Sequence, residues 1–169
     1  MVAVNTPDRT EFRDALARFA SGVTVVTVRD PGGEDHGMTV SAFSSLSLDP
    51  PLVLLCIGAG ATILPRFRAS GTFGISILAA GQHDIARRFA DQGVVRFEGI
   101  AFSRAASGPA LLDGAVAQLE CRRLALHQEG DHFIAVGEVL LARTLPGEPL
   151  VHFRRGFGRF EPRAADGGH

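Results

Sequence analysis

"HGMTVSAFSSLSLDPPLVLLCI" (residues 36–57) sets five hydroxyl side chains, Thr39, Ser41, Ser44, Ser45 and Ser47, among Met38, Val40, Ala42, Phe43, Leu46 and Leu48. A half-buried strand ordinarily carries charges on its wet face, yet no acidic residue, lysine or arginine occurs here before Asp49. Asp49-Pro50-Pro51 interrupts the run, because proline cannot donate to a ladder and marks a strand exit. Beyond it, "LVLLCI" (52–57) is a short continuous apolar segment. That is the pattern of a strand buried on both faces. Small neutral hydroxyls and open backbone at the edge of a hydrophobic sheet suit a planar, polar, anionic ligand lying along the strand. The competing reading is a sheet face turned to water.

Towards the N-terminus, "VTVVTV" (23–28) is β-branched throughout and reads as a strand, followed by a turn through "DPGGED". Before it, "DRTEFRDALARFA" (8–20) predicts a helix. Asp8 and Glu11 make a capping-box pair, and Phe12, Ala15, Leu16 and Phe19 recur at helical spacing. Towards the C-terminus, "GAGATILPRFRASG" (58–71) predicts a glycine turn and a short helix capped by Thr62 and closed by Gly71. "FGISIL" (73–78) reads as a strand and "GQHDIARRFAD" (81–91) as a second short helix. After a glycine-rich connection, "AVAQLECRRLAL" (115–126) and "HFIAVGEVLLAR" (132–143) form a long hairpin around "HQEGD", and "LVHFRRGFGRF" (150–160) closes the chain. Strands outnumber helices, and the connections are too short for repeated βαβ crossovers. The expectation is a mainly β, antiparallel barrel with a few peripheral helices. It occupies one domain, residues 1–162, with 163–169 as a flexible tail.

Composition removes several classes of function. The formal net charge is -1, so no global basic field argues for bulk nucleic acid or an anionic membrane. All 17 basic residues are arginine, and the absence of lysine rules out a Walker P-loop. "GAGATI" (58–63) starts like a dinucleotide fingerprint but lacks the third glycine and any βαβ surroundings. The six histidines form no HxH or HxxxH pair, so no metal site is expected. GxSxG does not occur, and no carboxylate pair stands out. Cys56 and Cys121, far apart in apolar segments, read as buried reduced thiols of a cytoplasmic protein. The N-terminus carries charges and no apolar h-region. No run approaches the roughly 18 apolar residues of a membrane span.

Four ordered blocks, "FASGVTVVT" (19–27), "GMTVSAFSSLSLDPPLVLLCI" (37–57), "SGTFGISIL" (70–78) and "GDHFIAVGEV" (130–139), resemble the flavin reductase-like family with the FMN-binding split-barrel fold. They are similar in particular to the NAD(P)H:flavin reductase components of two-component monooxygenases. The resemblance implies a homodimeric split barrel that reduces FMN or FAD with NADH or NADPH. Reduced flavin would then diffuse to a separate oxygenase. It also implies site residues. Met38, Thr39, Val40, Ser41, Ala42, Ser44 and Ser45 would line the flavin, and Cys56, Ile57, Gly58, Ala61 and Thr62 would form the strand end and phosphate loop. Gly60 and Ala61 stand where members usually carry a second hydroxyl and often a basic residue. Backbone N–H groups or an arginine, Arg88 or Arg96 beside Phe97, would then hold the phosphate. His132 of "GDH" falls where the nicotinamide stacks, and His152, Arg154 and Arg155 would contact the dinucleotide. Two readings compete: an oxidoreductase on the same barrel that retains its flavin, and a flavin-binding module without turnover.

Overall fold

The computed structural model describes residues 6–91 and 95–162. The expected tail, 163–169, lies outside the described residues. Helix α1 (Arg9–Leu16) begins at the expected capping box, with Thr10 and Glu11 N–H groups donating to the Asp8 carboxylate at 2.7 and 2.8 Å. It buries none of its residues. Strands β1 (Ser21–Gly22), β2 (Thr24–Arg29), β3 (Asp35–Val40), β4 (Phe43–Leu48) and β5 (Pro51–Gly58) follow. Next come α2 (Leu64–Ala69), β6 (Thr72–Ile77) and α3 (His83–Ala90). A small hairpin, β7 (Phe102–Arg104) and β8 (Ala110–Leu112), precedes the long pair β9 (Ala117–Glu129) and β10 (His132–Thr144). The hairpin β11 (Leu150–Phe153) and β12 (Gly156–Arg159) completes the order.

Seven strands form one antiparallel sheet in the order β3-β2-β6-β9-β10-β5-β4. Its two edge strands, β3 and β4, are consecutive in the chain and joined only by Ser41–Ala42. The inward side chains converge on one core: Val26 and Val28 from β2, Val40 from β3, Leu55 and Ile57 from β5, Phe73 and Ile75 from β6, Cys121 from β9, and Phe133 and Ala135 from β10. Side chains from strands at both ends of the sheet in one cluster mean that the sheet has curled into a barrel. The barrel is split at Ser41–Ala42, where the Cys56 N–H donates to the Ala42 carbonyl at 3.0 Å.

Several expectations change. The hydroxyl-rich stretch is two strands, broken at Ser41–Ala42 before the prolines are reached. The strand buried on both faces is β2, where Thr24 to Val28 are all buried. Its inner face meets the barrel core, and Val23 and Val25 meet a second cluster with Leu78, Phe89 of α3 and Leu150. The "LVLLCI" strand instead alternates, with Val53, Leu55 and Ile57 buried and Leu52, Leu54 and Cys56 only half-buried. Helix α2 starts at Leu64 with Ile63 in the cap position and no side-chain cap, so Thr62 lies in the preceding turn. The connection before β9 contains β7 and β8, pinned by a Thr27 hydroxyl donating to the Ala110 carbonyl at 2.5 Å. The closing segment turns at Arg154–Arg155 between two strands. No helix is long and apolar enough to cross a membrane among the described residues.

Candidate functional site

The break at Ser41–Ala42 brings a hollow to each neighbouring strand. One is a cleft of ≈ 150 Å³, lined by Met38 and Thr39 of β3, Ala61 and Thr62 of the loop before α2, Phe89 of α3, and Arg96. The other is a groove of ≈ 570 Å³. Its walls include Ser41, Ala42, Phe43 and Ser44 at the start of β4, Leu54 and Cys56 of β5, Arg13 and Leu16 of α1, and His152 and Arg155 of the last hairpin. Pockets that bury a whole ring ligand measure roughly 300–1,000 Å³. The groove falls in that range and the cleft holds no more than a phosphate-sized group.

The cleft suits an anion. Arg96 donates from Nη2 to the Asp91 carbonyl at 2.6 Å, while its buried Nε has no hydrogen-bond partner among the described residues. A buried guanidinium nitrogen left unpaired is costly, and an acceptor in the cleft would satisfy it. The Thr39 hydroxyl already donates to the Ala86 carbonyl at 2.6 Å, so it offers a ligand only its lone pairs. Close packing holds α3 in place: a Cβ on Gly37 would lie 2.6 Å from a ring carbon of Phe89.

Strand register places His132. It pairs with Gly58, while Ile134 pairs with Cys56 and Val136 with Leu54. Residues directly opposite share a sheet face, so His132 stands on the face of β5 that carries the groove residues Leu54 and Cys56. Its Nδ1 donates to the Asp131 carboxylate at 2.7 Å, and the Ala59 N–H donates to the Asp131 carbonyl at 2.9 Å. With Nδ1 so engaged, Nε2 is the ring nitrogen turned towards Gly58. The same hydrogen bond holds the Asp131 carboxyl below its ordinary value.

Of the residues expected from sequence, Met38, Thr39, Ala61, Thr62 and Arg96 meet at the cleft. Ser41, Ala42, Ser44, Cys56, His152 and Arg155 meet at the groove. Val40 and Ile57 point into the barrel core. Ser45 is exposed and outside both hollows. Arg88 donates to the Glu98 carbonyl at 2.6 Å and lines a different hollow with Asp84 and Asp91. Phe97 stacks edge-on against Phe89 and Phe102, and with Arg96 it borders a hollow beside His36. Arg154 lies outside the groove, in the turn next to it.

Sequence reasoning missed three contributions. Arg13, Leu16 and Phe19 of the α1 region line the groove, where the sequence offered Leu16 and Phe19 only as part of a helical spacing and gave no signal for Arg13. Asp30, Glu34 and His36 bring ligand atoms within 4.8 Å of one another. Histidine-pair spacing could not find this mixed set. His36 donates to Asp30 at 3.0 Å, and Asp30 also accepts from the Glu34 N–H at 2.9 Å, so the cluster ties the β2–β3 turn. Third, Arg154 and Arg155 have φ of 48° and 66°. Two left-handed residues in a two-residue hairpin are a type I′ turn, ordinarily Asn-Gly. The conformation costs an L-residue about 1–2 kcal/mol.

Residues 16–161 match the family model described as flavin reductase like domain. The chain is 44% identical to an NADH-dependent FAD reductase of Streptomyces globisporus, over 97% of this chain and 92% of that protein. It is 46% identical to the reductase component of a 4-hydroxyphenylacetate 3-monooxygenase of Thermus thermophilus, over 88% of this chain and 94% of that protein. Among solved structures, the NADH:FAD oxidoreductase SgcE6 of Streptomyces globisporus, in complex with NAD and FAD fragments, superposes with a TM-score of 0.89 at 42% identity. That match covers 97% of this chain and 99% of the other.

Proposed function

The chain belongs to the flavin reductase-like family, and from that premise we propose that the groove seats a flavin ring while the cleft takes the flavin phosphate. The protein is an NAD(P)H:flavin oxidoreductase, and its product, reduced FMN or FAD, serves a partner oxygenase. When bound, the flavin supplies a hydride acceptor for the dihydronicotinamide. The chain's own residues orient and enclose. Ser41 and Ser44 offer hydroxyls and open strand edge to the ring's donors and acceptors without placing a charge beside it. Leu16, Phe43 and Leu54 exclude water from one side of the groove. Thr62 and the Arg96 Nε hold the phosphate, and His132 aligns the nicotinamide through the ring that Asp131 orients. No protein acid or base is required for the hydride step.

The observation that carries this reading is a phosphate-sized cleft, lined by Thr62 and by an Arg96 whose buried Nε has no partner among the described residues, beside a ring-sized groove. We also infer a homodimer. The outer face of β5 and β10, with Leu54, Cys56, Ile134 and Val136, is apolar and only half-buried by the described residues, which supports its burial by a second copy. Cys56 and Cys121 are free thiols, which supports a reducing, cytoplasmic setting.

Anaerobic spectra test the proposal. NADH or NADPH is expected to bleach the visible band of added FMN or FAD, and riboflavin, lacking phosphate, is expected to bind more weakly than FMN. Bound flavin that neither nucleotide bleaches would instead establish a module without turnover. Flavin that stays bound through repeated turnover, with no oxidation of NADH on free flavin, would establish a flavin-retaining enzyme.

A further inference from the structure

Helix α1 carries an apolar stripe that the barrel leaves open. Phe12 and Leu16 stand one turn apart, Phe19 continues the spacing, and the three are 53%, 57% and 79% exposed. A helix of eight residues is too short to persist in water on propensity alone and takes its stability from packing of such a stripe. The stripe is turned to the groove: Leu16 and Phe19 line one part of its wall, and Phe43, Leu54 and Cys56 line another.

The two ends of α1 are held unequally. At the C-terminal end the Arg154 N–H donates to the Ala17 carbonyl at 2.8 Å, and just beyond it β1 is paired to β11, with Ser21 opposite His152. At the N-terminal end the Asp8, Thr10 and Glu11 N–H groups donate to side chains of the helix's own first turn. Arg9 there lies towards the turn that bears His132: the Asp131 carboxyl is held down first by its hydrogen bond to His132 and, more weakly, by the Arg9 charge. One end of the helix is therefore a pivot, and the other can move over the face that carries Leu54, Cys56 and His132.

We propose that α1 is a lid on the groove: it pivots at Ala17 and lays Phe12 and Leu16 over a planar ring seated against Leu54 and Cys56. The inference rests on the reading of the groove as the flavin site and adds a moving wall to it. The ring is the occupant of the stripe because both border one groove, where each covers apolar surface of the other. Closed, the lid keeps water from the path of the hydride. Its polar clasp is the exposed pair in which Arg155 Nη2 donates to Asp14 at 2.6 Å. A pair of that kind is weak enough to open and let reduced flavin leave.

The test uses the full chain and changes Phe12, which lies on the stripe but outside the groove wall that α1 already forms. Amide exchange across residues 9–16 should slow about tenfold or more when FMN or FAD saturates the protein, because the helix passes from unsupported to packed. The chain has no tryptophan or tyrosine, so Phe12→Trp supplies a single emitter, and acrylamide should reach it less well in the flavin complex. Phe12→Ser should leave the melting temperature unchanged, since the ring is half exposed, and should speed flavin dissociation about fivefold through loss of an apolar contact made on closure. Exchange across α1 that flavin leaves unchanged, or Phe12→Ser dissociation at the wild-type rate, would overturn the lid, while NADH oxidation with added flavin would keep the reductase reading intact. Protection of α1 that is present without flavin and lost on dilution to monomers would give the stripe to a second copy and overturn the lid as well. Flavin bound under a protected α1 but bleached by neither NADH nor NADPH would uphold the lid and refute the reductase reading.

Discussion

His132 illustrates how one residue's role depends on its neighbour, Asp131 in the turn before β10. Its Nδ1 is committed to Asp131, so the ring is oriented before any nucleotide arrives. His132→Ala should raise the KM for NADH and slow flavin reduction through misalignment, with flavin affinity nearly unchanged. Stopped-flow reduction of pre-bound flavin at varied NADH separates the two effects. The cysteines differ just as sharply. Burial, with the Glu120 carboxylate next to it, pushes the Cys121 thiol up to about 12 from an ordinary 9.0. The native state therefore keeps a proton that the unfolded chain gives up. Stability should fall as pH rises from about 9 towards 12, and Cys121→Ala should flatten that slope while Cys56→Ala leaves it. Iodoacetamide should leave the buried Cys121 of the native protein unlabelled and reach it only on unfolding. At this scale the sequence was readable where expected neighbours do share a hollow, as Met38, Thr39, Thr62 and Arg96 do at the cleft. It was unreadable where the three-dimensional neighbour decided, as with Ile57, whose side chain the pleat turns into the core.

Among elements, α3 and β3 set the shape of the cleft by touching at Gly37. Gly37→Ala would force its Cβ against the Phe89 ring. The expected cost is about 1–3 kcal/mol of overpacking, read as a lower denaturant midpoint. It should also displace the Ala86 carbonyl from Thr39, so flavin affinity falls with stability. Local signals forecast where α1 begins, because its capping box is short-range, but the helix ends at Leu16 instead of reaching residue 20, and its apolar stripe is exposed. They failed at Ser41–Ala42, where no proline or glycine announces the break and only barrel closure requires it. They failed again at Arg154–Arg155, since turn chemistry predicts Asn or Gly and the pair of arginines reads as continuing strand. The short strands β7 and β8 were hidden for a related reason. Their stability comes from long-range anchors, Thr27 to Ala110 and a Leu112 N–H donating to the Ser76 hydroxyl at 2.9 Å.

For the molecule as a whole, sequence patterning forecast a mainly β, antiparallel barrel, and the order of strands in the sheet came only with the coordinates. Alternation can tell which residues face inward but not which strand lies beside which. The half-buried apolar face of β5 and β10 belongs to this scale. Val136→Asp and Ile134→Asp should convert the inferred dimer to monomers in light scattering, with flavin affinity falling in parallel. A wild-type chain that is monomeric and still binds flavin would contradict that assembly.

The split in the barrel has a cost in colloidal behaviour. A sheet that ends in β3 on one side and β4 on the other leaves two rows of unpaired peptide groups. Strand β4, "FSSLSL", has no charge and no proline, and its Leu46 and Leu48 are exposed. Such a strand is a template for any extended chain it meets. Asp49 and Pro50 immediately after it limit how far a foreign strand could extend the pairing. The strand whose first residues line the groove is therefore also an adhesive edge. Flavin added throughout purification and storage should keep the preparation clear at concentrations where the stripped protein turns cloudy.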